Sequence, residues 1–220
     1  MPTLHLINHR LFSRARHFRW ALILVMACMG MMAYFANDVR QFLIGLLLLL
    51  ILSIFAYGLI LKSTVRYTLT SSHFQQHLSK GGWVVQWSNI SKVGICQCQQ
   101  QGWYQSLPWI GIKLKSYSPY LDAICPRVAT EVLLGQRALL YLGTQQNSNV
   151  AKFEDLVLDS HPYTSENGTV YTGLQAMLAN RMHYQRNFFD YDVFISTSDL
   201  DRSAEEFVGL VRRYLAANQT

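Results

Sequence analysis

The run FLIGLLLLLILSIFAYGLIL over residues 42–61 carries no charged side chain and constrains this chain more than any other feature. At a rise of ~1.5 Å per residue, about twenty helical residues cross a hydrocarbon core roughly 30 Å thick, so this run is predicted to span a bilayer. A second uncharged run, WALILVMACMGMMAYFA over residues 20–36, stands at the short end and needs a slight extension or a thinned bilayer. Only Asn37, Asp38, Val39, Arg40 and Gln41 separate the two, which leaves room for a tight turn. The pair reads as an N-terminal transmembrane helical hairpin.

Other readings of the first run fit less well. A signal peptide wants a small-residue cleavage site, and Ala33-Tyr34-Phe35-Ala36 lacks the A-x-A spacing. Val25-Met26-Ala27-Cys28 has the outline of a lipoprotein site, yet the chain stays apolar after Cys28 and soon re-enters the membrane. A hairpin buried in a soluble core is disfavoured by the unbroken apolar stretch 46–51 and the further apolar residues up to Leu61. Orientation comes from the basic flanks. Arg10, Arg14, Arg16 and Arg19 precede the first run and Lys62 and Arg66 follow the second, so both termini are expected in the cytoplasm.

Half of the residues are apolar and 15% are charged, against the roughly 25% charged of a soluble domain, which fits a membrane protein and excludes a disordered one. The net charge of +6 is unevenly spread. Between residues 62 and 121 stand Lys62, Arg66, Lys80, Lys92, Lys113 and Lys115 with no acid, whereas every acidic residue except Asp38 lies beyond Leu121. These six are the candidate contacts to anionic lipid headgroups, each worth about 1 kcal/mol close to a membrane surface. The alternative is ordinary solvated charge. No basic cluster or recognition motif points to nucleic acid.

After Lys62 the pattern alternates. Strands are expected at residues 65–69, 73–78, 83–87, 90–97 and 109–115, with turns at Lys80-Gly81-Gly82 and 100–102. Ile112 and Leu114 fall on one face and Lys113 and Lys115 on the other, as a sheet with one wet face requires. A helix is expected from Pro126 toward Leu142, ended by Gly143, and a second apolar stripe runs through Leu174, Met177, Leu178 and Met182. A last strand over 191–196 precedes a helix opened by the capping box Ser203-Ala-Glu-Glu206, with Phe207, Val208, Leu210, Val211, Tyr214 and Leu215 toward one side.

The strand at Val65-Arg-Tyr-Thr-Leu-Thr, the glycine turn and Trp87-Ser-Asn-Ile-Ser-Lys-Val93 resemble the opening of bacterial pleckstrin-homology-like (PH-like) domains. There, a W-x-x-I-x-x-V pattern begins a strand after two or three hairpin-linked ones. The stretch 192–207 is similar to their final strand and C-terminal helix. With two preceding membrane helices the chain resembles an uncharacterised bacterial two-helix membrane family with no assigned activity. The resemblance covers residues 64–117 and 188–217. It implies an α+β fold: the hairpin, then a PH-like antiparallel β-barrel or sandwich with a helical insertion at about 118–187 and a C-terminal capping helix. The organisation expected is a basic segment 1–19, a hairpin 20–61 and a cytoplasmic domain 62–220, at the bacterial inner membrane.

Few side chains announce chemistry. Asp190, Asp192, Asp199 and Asp201 with Glu205 and Glu206 could make a metal or acid/base site, but turn and helix-start positions account for them better. His73 and His77 lie on a strand without an accompanying glutamate, and read as surface histidines. Cys96 and Cys98 share a strand face and lack further ligands, so buried packing is expected, and Cys28 and Cys125 suggest no disulfide framework. Phosphate-loop, dinucleotide and nucleophile-elbow motifs are absent from the sequence, and Asn89-Ile-Ser and Asn167-Gly-Thr carry no meaning in a bacterial cytoplasm. No catalytic, cofactor or metal residue is assigned. The function expected is a membrane-anchored interaction module that binds anionic headgroups, a protein partner or a second copy. The alternatives are a membrane enzyme using the carboxylates with Arg127, Arg137, Arg181 and Arg186, and an accessory subunit of a membrane complex, although neither apolar run holds the charge an ion path uses.

Overall fold

Alternation begins before the apolar runs: Leu4 and Leu6 flank His5, and Leu4–Ile7 form strand β1 with Leu6 buried. The computed structural model describes residues 1–8, 15–36, 38–100, 103–146 and 152–218. Arg10, Arg14, Gln101, Gly102, Asn37 and Thr220, on which parts of the sequence reading rest, lie outside them. Helices α1 (Ala15–Phe35) and α2 (Val39–Ser63) come after β1. Among the described residues, Val39–Lys62 is the one helix long and apolar enough to cross a membrane, and its apolar window is not buried by the rest of the chain. The apolar stretch of α1, Ile23–Phe35, is shorter. Val39, Arg40 and Gln41, expected in a turn, are helical, because the Asp38 carbonyl accepts the Phe42 N–H at 3.1 Å and starts the helical ladder there.

Strands β2 (Arg66–Leu69), β3 (His73–Leu78) and β4 (Gly81–Gln86) continue from α2 as an antiparallel meander. With β1 on the edge the order is β1-β2-β3-β4, and Ile7 is paired with Arg66. The sequence places β1 inside a basic segment, because four residues carry too little periodicity to distinguish a strand from a tail. The turn at Ser79 and Lys80 falls where expected, and Gly81 holds φ +141°, a conformation side chains rarely adopt. Trp87 and Asn89 bound one 3-10 turn, and the Trp87 ring N–H donates to the Thr70 carbonyl at 2.9 Å.

That turn ends the first ladder and opens a second sheet. Strand β5 (Ile90–Gln100) pairs with β6 (Trp103–Leu114) over a long hairpin, wider than the stretches read from the sequence. A helical layer comes next: α3 (Ser118–Ala123), α4 (Pro126–Gly135), α5 (Arg137–Gln146) and α6 (Phe153–Val157). A short hairpin of β7 (Tyr163–Thr164) and β8 (Val170–Tyr171) leads into α7 (Gly173–Phe189). Strand β9 (Val193–Ser196) then joins β6, giving the order β5-β6-β9, and α8 (Ala204–Ala216) ends the described chain.

The fold is therefore mixed α+β with antiparallel sheets, but the two larger sheets share no ladder among the described residues and the barrel is not closed. Helix α8 packs against both instead. Phe207 lies 5.4 Å from Tyr67 of β2, Tyr214 stacks on Trp87 at 5.9 Å, and Arg212 Nε donates to the Val93 carbonyl of β5 at 2.9 Å. The residues Trp87, Ile90 and Val93 of the W-x-x-I-x-x-V pattern are all buried in this core. Ser203 caps α8, its hydroxyl accepting the Glu206 N–H at 3.3 Å, as the capping box predicts.

The helix expected from Pro126 to Leu142 is two helices, broken at Gln136. The buried Gln136 side chain donates to the Phe194 carbonyl and accepts from Gln185 at 3.2 Å, contacts that a straight helix gives no hint of. Gly143 does not end a helix. It lies within α5 where any Cβ would strike the Phe188 ring, so the glycine serves close packing of α5 on α7.

Candidate functional site

The alternation of β2 and β3 turns Tyr67, Leu69, Phe74 and Gln76 inward and Arg66, Thr68, Gln75 and His77 outward. Register then decides which basic residues meet. Arg66 faces His77 across the ladder, Leu78 faces Gly81, and Lys80 occupies the turn between them, so Arg66 and Lys80 stand at the end of the sheet that adjoins α2. Lys62, in the last turn of α2, lines a cleft with Leu78 and Ser79 at that same end. Three of the six candidate basic residues thus gather where the apolar helix meets the domain. Burial, Arg66 and His5 lower the His77 pKa, and its ring shares the Thr68 hydroxyl with His5, each at 3.1 Å. His73 is bonded to Thr70 and Ser72.

The other three are elsewhere. Lys92 and Lys113 are cross-strand partners, and like charges directly opposite repel. Asp190 resolves this: Lys92 Nζ approaches it at 3.1 Å and Lys113 donates to its other oxygen. The bond from Lys113, with that from Lys92, holds the Asp190 carboxyl below its ordinary value, and Asp190 raises the Lys92 pKa. Counting charges over residues 62–121 misses this acid, which arrives at the end of α7 in a left-handed conformation of φ +63°. Lys92 also lies 5.0 Å above the Tyr191 ring. That ring crosses the paired glycines Gly94 and Gly111, where a Cβ on either would collide with it. Lys115 lines a polar pocket of about 140 Å³ with Tyr163, Glu166, His183 and Arg186.

Beside that pocket lies a heavily bonded carboxylate. Asp192, 1% exposed, accepts from Leu114 N at 2.7 Å, from the Tyr117 hydroxyl at 2.9 Å and from Arg186 Nε and Nη2, both at 2.6 Å. Arg186 Nη2 also donates to the Leu114 carbonyl at 2.8 Å, and the guanidinium lies 4.8 Å from the Tyr117 ring. Burial, then the Asp192 charge, push the Tyr117 hydroxyl well up, and the hydrogen bond to Asp192 raises Arg186. Every acceptor position of this carboxylate is engaged, which makes it a clamp joining α7, β6 and the chain entering β9.

The carboxylates read as a cluster disperse. Asp190 and Asp192 serve as above, Asp199 accepts from the Ser198 hydroxyl at 3.2 Å and lines the cleft at the α2 end, Asp201 accepts a bidentate pair from Arg202 at 2.8 and 2.9 Å, and Glu205 and Glu206 occupy the first turn of α8. Among the arginines of the helical segment, Arg127 and Arg137 are exposed, while Arg181 is buried and donates to the Val157 and Leu133 carbonyls at 3.1 and 3.4 Å. Those carbonyls belong to the last turns of α6 and α4, so two helix C-termini offset the buried cation. Cys96 and Cys98 are buried on one strand face. Burial pushes the Cys96 thiol up to about 12, as for a packing residue.

No motif announces the cleft at the α2 end. It has a volume of about 300 Å³ between the two sheets, and its lining includes Lys62, Trp109, Glu131, Gln136, Phe194 and Asp199. One signal is present in the sequence. Glu131 stands three residues after Val128 and two before Leu133, both buried, so an acid borders the apolar stripe of α4.

These features define a class: an α+β domain of two antiparallel sheets with a C-terminal helix packed on both, preceded by a long apolar helix. The chain belongs to the family described as a protein of unknown function, DUF2982, whose model matches residues 67–217. The match runs from β2 to just beyond α8 and omits β1, α1 and α2. No curated protein and no solved structure matches the chain.

Proposed function

We propose that the protein is a membrane-anchored interaction module: α1 and α2 form a transmembrane hairpin in the bacterial inner membrane and hold a PH-like domain at its cytoplasmic face. There the domain docks on anionic headgroups through Lys62, Arg66 and Lys80. The observation that carries this reading is the pairing of β1 with β2. Residues 4–7 precede both helices and residues 66–69 come after them, yet they form one ladder. Any chain that crosses a bilayer through α2 must then cross back, and α1 is the element available to do so. The arginine-rich flank of α1 favours the cytoplasmic side. The two antiparallel sheets and the packing of α8 support the PH-like assignment.

Docking is a consequence of position. A residue tethered at the membrane needs little intrinsic affinity, because its effective concentration at the surface is already high. Three basic residues at about 1 kcal/mol each suffice for reversible, salt-sensitive contact. Topology reporters fused before Met1, after Thr220 and at Asp38 test the anchor: cytoplasmic signal at both termini and periplasmic signal at Asp38 are expected, and a periplasmic Thr220 refutes it. For docking, the full chain is reconstituted in nanodiscs of phosphatidylcholine with or without phosphatidylglycerol. Slower amide exchange at residues 79–82 on the anionic discs, reversed by salt, is expected. Equal exchange on both removes the lipid reading and leaves a protein partner as the better use of this end.

A further inference from the structure

We infer that the tip of the β5–β6 hairpin is a second, uncharged membrane contact, in which Trp103 and Tyr104 enter the headgroup layer beside α2. The inference rests on the reading of α2 as a membrane span, which sets Lys62 at the membrane surface. Followed back from Leu114, β6 pairs with β9 as far as Trp109 and Ser196, and both of these line the cleft that Lys62 borders. Strand β9 stops there and the hairpin runs on. Residues 103–108, at about 3.3 Å each, carry it roughly 20 Å farther, more than the about 5–8 Å of headgroup layer on each side of a bilayer.

Exposure and charge both point to a lipid surface at this tip. Trp103 and Tyr104 are 80% and 72% exposed, the two most exposed large apolar side chains outside α1 and α2 among the described residues. From Val93 to Ile112 the sequence holds no Asp, Glu, Lys, Arg or His. Strands that stand clear of a domain usually carry charges that keep other strands off their open edges. This hairpin carries glutamine and serine instead, whose polar groups interfacial water and headgroups satisfy with no charge to desolvate. The acids that border it, Glu131 and Asp199 in the cleft and Glu205 beside Gln97, stand at its base, behind the aromatic pair.

Strand geometry separates a bilayer from a protein partner. Successive strand residues point to opposite faces, so Trp103 and Tyr104 lie on the two faces of the hairpin. A protein docked on one face covers one ring and leaves the other in water, whereas a fluid layer around the tip takes both. Trp and Tyr are also the side chains enriched at membrane interfaces, where the ring is buried while its N–H or O–H stays hydrated. Gln146 of α5 braces the hairpin by donating to Cys98 Sγ at 2.7 Å, and Cys98 faces Gln105 across the ladder. Tyr104, opposite Gln99, and Trp103, opposite Gln100, come beyond that brace.

The test uses the full chain in nanodiscs that hold one chain each, and compares the tryptophan emission of the wild type with that of Trp103→Phe, a change at an exposed ring that leaves the core intact. The difference between the two is the emission of Trp103. Most of it should be lost when the phosphatidylcholine of the disc is brominated high on its acyl chains, and acrylamide in the water should quench it little. Because the tip carries no charge, the loss should persist at high salt and without phosphatidylglycerol, unlike the docking of Lys62, Arg66 and Lys80. Trp103 emission spared by the brominated lipid overturns the inference: quenching by acrylamide then leaves the tip in water, and protection from both quenchers gives it to a protein surface. Quenching by the lipid only in anionic discs at low salt overturns it as well, since the contact then belongs to the basic residues. Alkaline carbonate extraction separates the two readings. A chain released by carbonate removes the anchor and the hairpin contact together, and a chain that stays in the membrane with Trp103 unquenched by lipid removes the hairpin contact alone.

Discussion

Truncating Asp192 to alanine strikes the point where three parts of the domain are tied. The carboxylate is almost fully buried and accepts four hydrogen bonds, from Leu114 N, the Tyr117 hydroxyl and two nitrogens of Arg186. Removal leaves the Leu114 N–H and the Tyr117 hydroxyl without an acceptor, at about 1–3 kcal/mol each for a buried polar group. Arg186 keeps its bond to the Leu114 carbonyl and its side chain is 30% exposed, so water recovers part of its loss. The sum is about 3–5 kcal/mol, the range for breaking one side of a buried ion pair. For a chain of this length each kcal/mol shifts the melting temperature by about 2–4 °C, so a fall of roughly 6–20 °C is expected. The assay is a thermal melt of the full chain in mild detergent, monitored by the fluorescence of buried tryptophans such as Trp87. Arg186→Ala alone should also destabilise, and the double variant should lose clearly less than the two single losses added. A loss below about 1 kcal/mol for Asp192→Ala, or strict additivity, would refute the clamp.

Gly111→Ala is expected to destabilise the second sheet by about 1–3 kcal/mol, because a Cβ there collides with the Tyr191 ring; Tyr191→Ala in the same chain should recover part of that loss in the same melt. Arg181→Met should cost about 2 kcal/mol, since two helix-terminal carbonyls lose their donor, and an unchanged melting temperature would show that the buried cation is dispensable. Burial raises the Asp159 carboxyl, but hydrogen bonds from Tyr184, at 2.5 Å, and from His161 outweigh it and hold the pKa below the ordinary value. A depressed carboxylate stabilises fully above its unfolded pKa and loses that contribution as pH falls through the folded one. Tyr184→Phe should therefore destabilise by about 1 kcal/mol near pH 7 and by progressively less as pH falls below the ordinary carboxylate range, and a loss that does not shrink with acidification would count against this bond. Deleting residues 1–8 should lower the melting temperature, because it uncovers the edge of β2 and removes the buried Leu6, and a deletion without effect would sink the role given to β1.

Local pattern alone settles a good deal of this protein. The uncharged run before Lys62 makes α2 a long apolar helix in any tertiary context, since composition over twenty residues needs no partner to be read. The β2–β4 meander, the glycine at the Lys80 turn, the apolar stripe of α8 and its Ser203 cap are equally local, each a matter of periodicity or of one residue's conformational preference. The tertiary structure decides the rest, because the deciding contacts join residues that no short window contains. Asp190 meets Lys113 and Lys92 across separations of 77 and 98 residues, which turns two members of an apparently acid-free basic stretch into an ion-paired surface. Gly143 looks like a helix stop until the Phe188 ring occupies the place of its side chain, and Gln136 breaks a helix where its amide meets Phe194 of β9 and Gln185 of α7. Strand β1 acquires meaning only by pairing with β2 on the far side of two helices. Glu131 shows the division most sharply: helical spacing puts it at the edge of an apolar stripe, but whether a buried carboxylate oxygen finds a donor depends on which walls the fold brings against it.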